Sequence, residues 1–338
     1  MNAAKNMAEH SGPVVETNEL TKRFGELTAL DRLSISLNRG QILGFIGPNG
    51  AGKTTAIKIL VGLMRPTSGS ARIAGADCVR DARKIKRLVG YMPDSFGTYD
   101  NMRVREYLDF FGAAFGIPRR DRTRRIDEVL DTTGSAYMQD RYVESLSHGM
   151  QQRIGVARTL LHDPAVLILD EPANGLDPQA RIEMRELLLR LAERGKTLIV
   201  TSHILPELSR ICNIVAIITQ GKLRAFGTLD QIMREIRQRR TFEVQLVDPN
   251  QVSPAASLVS AALDESERTS VTSAETEIMV RFQTSRTDKD LSGLLAHLVD
   301  KGVIVAQFRE VPTDLEDAFL SVTRNEQSTP AKQPVPAI

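Results

Sequence analysis

The sequence of 338 residues has few cysteines, little net charge and no long hydrophobic run, and each shortage excludes a class of protein. The two cysteines, Cys78 and Cys212, lack the short spacing of a metal-binding or redox motif, so we expect free thiols in a reducing compartment. A net charge of +2 gives no argument for binding nucleic acid. The longest apolar runs have the length of a strand, far short of the roughly 18 residues that a membrane span requires. A function at a membrane would therefore need another polypeptide to cross the bilayer.

Short apolar runs alternate with helical patterns over residues 14–235 and predict an α/β domain. Four runs are apolar throughout, which is typical of parallel strands buried on both faces of a sheet. These runs are QILGFIG, AVLILD, TLIVTS and NIVAII. The β pattern disappears between about residues 98 and 150, where helical stretches on either side of IPRRD predict a helical insertion. Residues 1–13 show neither periodicity nor the pattern of a signal peptide, so we expect a disordered tail.

A second domain is predicted over residues 240–324, after the basic linker MREIRQRRT. Three alternating runs, TFEVQLV, TEIMVRFQ and VIVAQFREV, a weak strand near TSVTS and two helical stretches follow the order βαββαβ. This order predicts a small α+β, ferredoxin-like domain. The helix TDLEDAFLSVT is expected to end it, and residues 325–338, rich in proline, glutamine and alanine, are expected to be disordered.

The run GPNGAGKT, from Gly47 to Thr54, follows a predicted strand and opens a predicted helix. It matches the pattern G-x-x-x-x-G-K-[ST] in the strand–loop–helix context that this pattern requires. Glycines allow consecutive backbone amides to surround a phosphate, and the N-terminus of the helix adds a partial positive charge. Lys53 would reach the β- and γ-phosphates, and the Thr54 hydroxyl would ligate Mg²⁺. The segment therefore predicts a nucleoside triphosphate site.

The run AVLILDEP places two carboxylates at the carboxyl end of a buried strand, which is where α/β sheets bind ligands. We expect Asp170 to hold Mg²⁺ through water and Glu171 to orient or deprotonate the attacking water. His203 follows another buried strand at the same edge and is expected to hydrogen-bond the γ-phosphate. The structural alternatives are two acids that cap a strand end and a histidine without a catalytic role.

The segments GPNGAGKTT, LSHGMQQR, LILDEPANGLDP and TSH resemble, in order and spacing, the ATP-binding subunit of an ABC transporter over about residues 14–230. The resemblance implies an ABC-type P-loop ATPase domain with a mixed sheet and a helical insertion. It also implies that two ATPase subunits enclose two ATP molecules, and that each signature segment faces the nucleotide of the other subunit. Ser147 and Gly149, at the start of a helix, would form that clamp, because a helix N-terminus attracts an anion.

The same resemblance implies further contacts with the nucleotide. Phe24 would stack on adenine, although a single phenylalanine near a strand end is otherwise usually part of a core. Asp177 would touch the opposite subunit, and it is also a plausible N-cap before Pro178. The complete set of expected nucleotide contacts is Phe24, Gly47, Pro48, Asn49, Gly50, Ala51, Gly52, Lys53, Thr54, Thr55, Ser147, Gly149 and Asp177.

Two segments depart from the family pattern. The signature is usually LSGGQ and here is LSHGM, so His148 adds a side chain and Met150 removes an amide. Asp94 stands where the family places a glutamine, and aspartate offers a stronger anionic oxygen but no N–H donor. We expect Asp94 still to approach the metal, beside Thr54 and Asp170.

Both departures and the C-terminal run DLEDAFLSVT resemble the ABC-2 type exporter ATPases. This implies a peripheral subunit at the cytoplasmic face of the plasma membrane that hydrolyses MgATP to power export. The expected partners are a separate polytopic permease, which the helical insertion would contact, and a second ATPase subunit, identical or different. No nucleic acid is expected. The alternatives are a soluble ABC-type ATPase acting on ribosomes or DNA, and a subunit that senses nucleotide without hydrolysing it.

Overall fold

The computed structural model describes residues 12–94, 101–202, 205–236, 240–268, 270–274 and 276–311. The chain divides into two compact units, Met1–Leu229 and Asp230–Ile338. The expected terminal tails, apart from residues 12 and 13, and the expected helix TDLEDAFLSVT lie outside the described residues. No helix in the described part of the chain is long and apolar enough to span a membrane.

The described strands of the first unit form one mixed sheet in the order β5-β4-β1-β2-β10-β9-β3-β8-β7-β6. The strands are β1 Val15–Phe24, β2 Leu27–Leu37, β3 Ile42–Ile46, β4 Ser68–Ile73, β5 Ala76–Asp77, β6 Val89–Met92, β7 Val166–Asp170, β8 Thr197–Thr201, β9 Ile214–Thr219 and β10 Lys222–Thr228. The four fully apolar runs become β3, β7, β8 and β9, which are neighbours and run parallel. Nearly every residue in them is buried, which confirms the prediction of a sheet covered on both faces.

Strands β1, β2, β4 and β5 form an antiparallel part of this sheet and were not among the runs singled out in the sequence. Strand β1 pairs antiparallel with both β2 and β4. Its pairing with β2 changes register between Thr17 and Leu20 and again near Lys22, and Glu19 adopts a left-handed backbone with φ of 44°. These irregularities interrupt the alternation of polar and apolar residues, which removes the period-two pattern by which a half-buried strand is recognised.

The helices of the first unit cover the sheet and form the insertion. They are α1 Lys53–Leu60, α2 Ala82–Leu88, α3 Val104–Ala114, α4 Arg119–Thr132, α5 His148–Leu160, α6 Pro178–Glu193 and α7 Leu205–Ser209, and α8 Leu229–Ile236 begins at the boundary between the units. The insertion contains α3 and α4, as predicted. Helix α4 begins at Arg119 after the extended Pro118, so Arg119–Asp121, expected to lie between two helices, forms its first turn. Proline is compatible with a helix start, so the boundary from sequence was wrong by one turn.

The second unit is a four-stranded antiparallel sheet with helices. Its elements are β11 Arg240–Leu246, α9 Val252–Ala262, α10 Glu265–Arg268, β12 Thr272–Ala274, β13 Met279–Thr284, α11 Asp288–Asp300 and β14 Val305–Val311. The strand order β12-β13-β11-β14 is the order that two βαβ halves produce in a ferredoxin-like sheet. The core joins Phe242, Val244 and Phe282 of the sheet to Val259 and Leu298 of the helices.

Candidate nucleotide-binding and catalytic site

The loop between β3 and α1 requires glycine at two positions. Gly52 has a φ of 106°, and an added Cβ would lie 2.5 Å from the carbonyl oxygen of Ala29. At Gly47 an added Cβ would lie 2.3 Å from the carbonyl oxygen of Ile218. Any side chain at either position would therefore displace backbone. Pro48, Asn49 and Gly50 lie between them and are exposed, and Ala51 is buried. The loop is anchored at both ends and open to solvent between them.

Helix α1 begins without a side-chain cap and has no acidic residue in its first turn. The amide groups of Lys53, Thr54 and Thr55 therefore lie at a helix N-terminus, where amides lack partners within the helix and favour an anion. The Lys53 ammonium group donates to the carbonyl oxygens of Gly47 at 2.5 Å and Pro48 at 3.1 Å. Burial lowers the pKa of Lys53, and the charges of Glu171 and Asp170 act in the opposite direction.

The two predicted catalytic carboxylates are joined by a residue that the sequence reading missed. Asp170 ends β7 and lies in register with Thr201, which ends the neighbouring β8. The Thr201 hydroxyl donates to Oδ1 of Asp170 at 2.6 Å and accepts from the backbone N–H of Glu171 at 2.9 Å. Thr201 is fully buried. The signal that could have found it is the alignment of two buried parallel strands that both end in polar residues.

Glu171 adopts a left-handed backbone conformation with φ of 53°. This conformation costs a residue with a side chain about 1–2 kcal/mol and persists where the surroundings impose it. Here the hydroxyl of Thr201 holds the N–H of Glu171, and the N–H of Asn174 donates to its carbonyl oxygen at 3.0 Å. The chain therefore leaves β7 abruptly at Glu171 and turns toward α6.

The residues present fit a magnesium ion that is held mainly by a nucleotide. Oδ1 of Asp170 is occupied by Thr201, while Oδ2 accepts no hydrogen bond in the described part of the chain. Within those described residues, no three His, Cys, Asp or Glu side chains cluster as a metal site. Mg²⁺ commonly binds one or two carboxylates together with phosphate oxygens and water. Thr54 is exposed and supplies a hydroxyl of the same ligand class.

Asp94 lies just beyond β6 and is exposed. Its Oδ1 accepts a long hydrogen bond, 3.5 Å, from the side-chain amide of Asn174. Because β6 is the parallel neighbour of β7, both strands end at the same edge of the sheet. The structure therefore brings Asp94 to the loop that follows Glu171.

The predicted clamp residues lie at the start of two further helices. Ser147 caps α5, its hydroxyl accepting from the N–H of Met150 at 3.4 Å, and Ser147 is exposed. At Gly149 an added Cβ would lie 3.1 Å from Cβ of Ala180 on α6. Asp177 caps α6 and accepts from the N–H of Ala180 at 2.9 Å. Asp177 is therefore the N-cap of α6, which was the structural alternative to a contact with the opposite subunit, and it is still exposed.

Of the two remaining predicted residues, Phe24 and His203, the structure describes Phe24. Phe24 ends β1 and is 47% exposed, so it is not a core residue. The Lys22 ammonium lies 5.0 Å from the centre of its ring. An exposed aromatic face of this kind is suited to stacking on a base. His203, the predicted partner of the γ-phosphate, lies outside the described residues.

Comparisons with known proteins identify the family of the chain. A family model described as ABC transporter matches residues 30–174. The chain is 42% identical over 238 residues to the bacitracin transport ATP-binding protein of Bacillus licheniformis, and the match covers 70% of this chain and 76% of that protein. It is 29% identical over 310 residues to the linearmycin resistance ATP-binding protein of Bacillus subtilis, covering 92% and 98% of the two chains. A solved structure of an ATP-binding subunit of an ABC transporter matches with a TM-score of 0.60 at 28% identity, over 66% of this chain and 93% of that one. The chain belongs to the ABC transporter family, as one of its ATP-binding subunits.

Proposed function

We propose that this protein is the ATP-hydrolysing subunit of an exporter and that it acts through MgATP bound at the loop between β3 and α1. The observation that carries the proposal is the linked pair Asp170 and Glu171, which Thr201 fixes by two hydrogen bonds. A carboxylate held at the end of a buried strand suits a metal, and a second acid directly after it suits activation of water.

The chain's own groups divide the work as follows. The backbone N–H groups from Asn49 to Thr55 and the ammonium group of Lys53 bind the phosphates. Thr54, Asp170 and Asp94 hold the magnesium ion, which when bound neutralises charge on the β- and γ-phosphates. Glu171 orients the attacking water and accepts its proton. Phe24 stacks on adenine, and His203 hydrogen-bonds the γ-phosphate.

The active form in this proposal is a pair of subunits, most simply two copies of this chain. The N-terminus of α5, with Ser147 and Gly149, binds the γ-phosphate of the ATP on the partner. This end of α5 is exposed, at Ser147, and has no acidic residue in its first turn. An anion is favoured there because the helix dipole and the free amides act together. Asp177 contacts the opposite subunit beside it.

The names of two relatives refer to bacitracin transport and linearmycin resistance, which supports export as the direction of transport. We propose that a separate polytopic permease at the plasma membrane is the partner and that α3 and α4 contact it from the cytoplasmic side. Magnesium, the identical partner subunit and the location at the membrane are parts of this proposal.

The experiment compares steady ATP hydrolysis by the wild-type protein with that of Glu171→Gln. Loss of turnover with retained MgATP binding supports Glu171 as the group that activates water. Tagged Glu171→Gln protein with MgATP is then used to recover partners from detergent-solubilised membranes. A polytopic membrane protein in the eluate supports the exporter, whereas ribosomal or DNA-binding proteins would favour a soluble ABC-type ATPase. Equal hydrolysis by both proteins would contradict the catalytic assignment.

A further inference from the structure

We propose that His148 is a positioning residue, which ties the N-terminus of α5 to the loop between Glu171 and Asp177 of the same subunit. This rests on the proposed function, because in a pair of subunits both segments face the nucleotide of the partner. The imidazole would keep the anion-binding end of α5 and the catalytic loop at a fixed separation. Two segments held in this way meet the partner as one surface.

The principal contact is a hydrogen bond between the His148 ring and the loop. Nε2 of His148 lies 2.9 Å from the carbonyl oxygen of Asn174. A carbonyl oxygen only accepts, so Nε2 carries the hydrogen and donates it. This nitrogen is thus engaged with the protein's own loop, and a glycine at position 148 would have no group to make this contact.

The ring is also held by packing on two sides. An added Cβ at Gly175 would lie 3.3 Å from Cδ2 and 3.4 Å from Nε2 of His148, so the imidazole lies against the α carbon of that glycine. Gln152 follows one turn later on α5, with its side-chain nitrogen 3.5 Å from Nε2 of His148. Gln152 is only 2% exposed. The ring therefore lies between the loop and the second turn of its own helix, while His148 remains exposed to solvent.

The loop residue that His148 holds also reaches the metal side of the site. The side-chain amide of Asn174 donates to Oδ1 of Asp94 at 3.5 Å, a long and weak hydrogen bond. Asn174 therefore connects two of the three positions that depart from the family pattern, His148 through its carbonyl oxygen and Asp94 through its side chain. The positioning role depends on the shorter contact, the one between His148 and the carbonyl oxygen of Asn174.

The test uses Glu171→Gln as the background, so that bound MgATP is retained. His148→Phe keeps a planar ring and removes the donor, and His148→Gln returns an N–H at a similar reach. Asn174→Ala is the matched control for the loop, because it leaves the carbonyl oxygen in place and removes only the contact with Asp94. Sedimentation in MgATP gives the dimerisation constant, and titration with a fluorescent ATP analogue gives the affinity of the single subunit for nucleotide.

We expect His148→Phe to weaken ATP-dependent dimerisation about fivefold, as the loss of one neutral hydrogen bond implies, with unchanged nucleotide affinity of the single subunit. His148→Gln should restore dimerisation, which a role in packing alone would not produce. Hydrogen exchange of residues 172–177 in the nucleotide-free subunit should be faster in His148→Phe than in His148→Gln. This second measurement does not depend on dimerisation.

The outcomes separate this inference from the function on which it rests. If the background protein forms no dimer with MgATP, the proposed pairing of subunits is wrong and the inference is wrong with it. If that protein dimerises and His148→Phe dimerises equally well, with unchanged exchange of the loop, only the positioning role is overturned. Equal defects in His148→Phe and His148→Gln would also overturn it.

Discussion

Removing the hydroxyl of Thr201 tests whether the geometry of Asp170 and Glu171 is set from the neighbouring strand. Thr201→Val has nearly the same shape, so the fully buried site keeps its packing. The substitution leaves Oδ1 of Asp170 without its donor at 2.6 Å and the N–H of Glu171 without its acceptor at 2.9 Å. Water cannot easily replace either contact, because the side chain is enclosed.

The size of the effect follows from the two contacts. A hydrogen bond to a charged group contributes about 1.5–3 kcal/mol, and a buried N–H without a partner costs about 1–3 kcal/mol. If the hydrogen bond from Thr201 to Asp170 serves only to place Asp170 for hydrolysis, its loss lowers turnover about tenfold to 100-fold, since about 1.4 kcal/mol corresponds to a factor of ten. Loss of the acceptor for the N–H of Glu171 lowers the free energy of unfolding. Binding of ATP should change little, because the loop from Gly47 to Gly52 is untouched.

The assay is steady ATP hydrolysis over a range of MgATP concentrations, with urea unfolding measured in parallel. Thr201→Ser is the control, since it keeps the hydroxyl and removes one buried methyl group. That loss costs about 1 kcal/mol of stability and should leave most of the turnover intact. Wild-type turnover in Thr201→Val, or equal loss in both variants, would refute the reasoning.

Three further predictions concern Gly52, with Gly116 as its control, His162 and Glu243. Gly52→Ala combines a φ of 106° with a Cβ 2.5 Å from backbone, so we expect a loss of at least about 2 kcal/mol of stability and of ATP binding. Gly116→Ala, with a φ of 76° and open space, should cost only about 1 kcal/mol, and thermal unfolding of both variants measures the difference. Burial lowers the pKa of His162, whose Nδ1 has no partner in the described part of the chain. The unfolded chain therefore binds a proton that the folded one resists, so urea midpoints should decrease as pH falls below about 6.5. His162→Gln should reduce that decrease, and an unchanged slope would contradict the assignment. Glu243→Gln leaves Arg281 and Arg309 without the carboxylate that accepts from both, and should lower the urea midpoint of the second unit. Since both arginines are about half exposed, the cost should be only about 1–2 kcal/mol, and an unchanged midpoint would count against a stabilising role.

Local chemistry made the nucleotide loop predictable from sequence. The residues from Gly47 to Thr55 are consecutive, and a strand before them and a helix after them are enough to direct their backbone N–H groups toward a phosphate. The same holds for Asp170 and Glu171, because a short apolar run places whatever follows it at the end of a buried strand. The βαββαβ order of the second unit was readable for a related reason, since each of its longer elements carries its own period.

The tertiary structure decided what these residues touch. Thr201 meets Asp170 and Glu171 only because β7 and β8 lie parallel and in register, with 30 residues or more between the partners in the chain. His148 meets Asn174 across 26 residues, and Asn174 meets Asp94 across 80. A hydrogen bond between such distant residues has no sequence period. It depends on the alignment of whole strands and helices, and burial of their shared apolar core sets that alignment. The sequence alone thus determined which groups can bind and hydrolyse a nucleoside triphosphate. Packing of the folded chain determined which other side chains hold those groups in place.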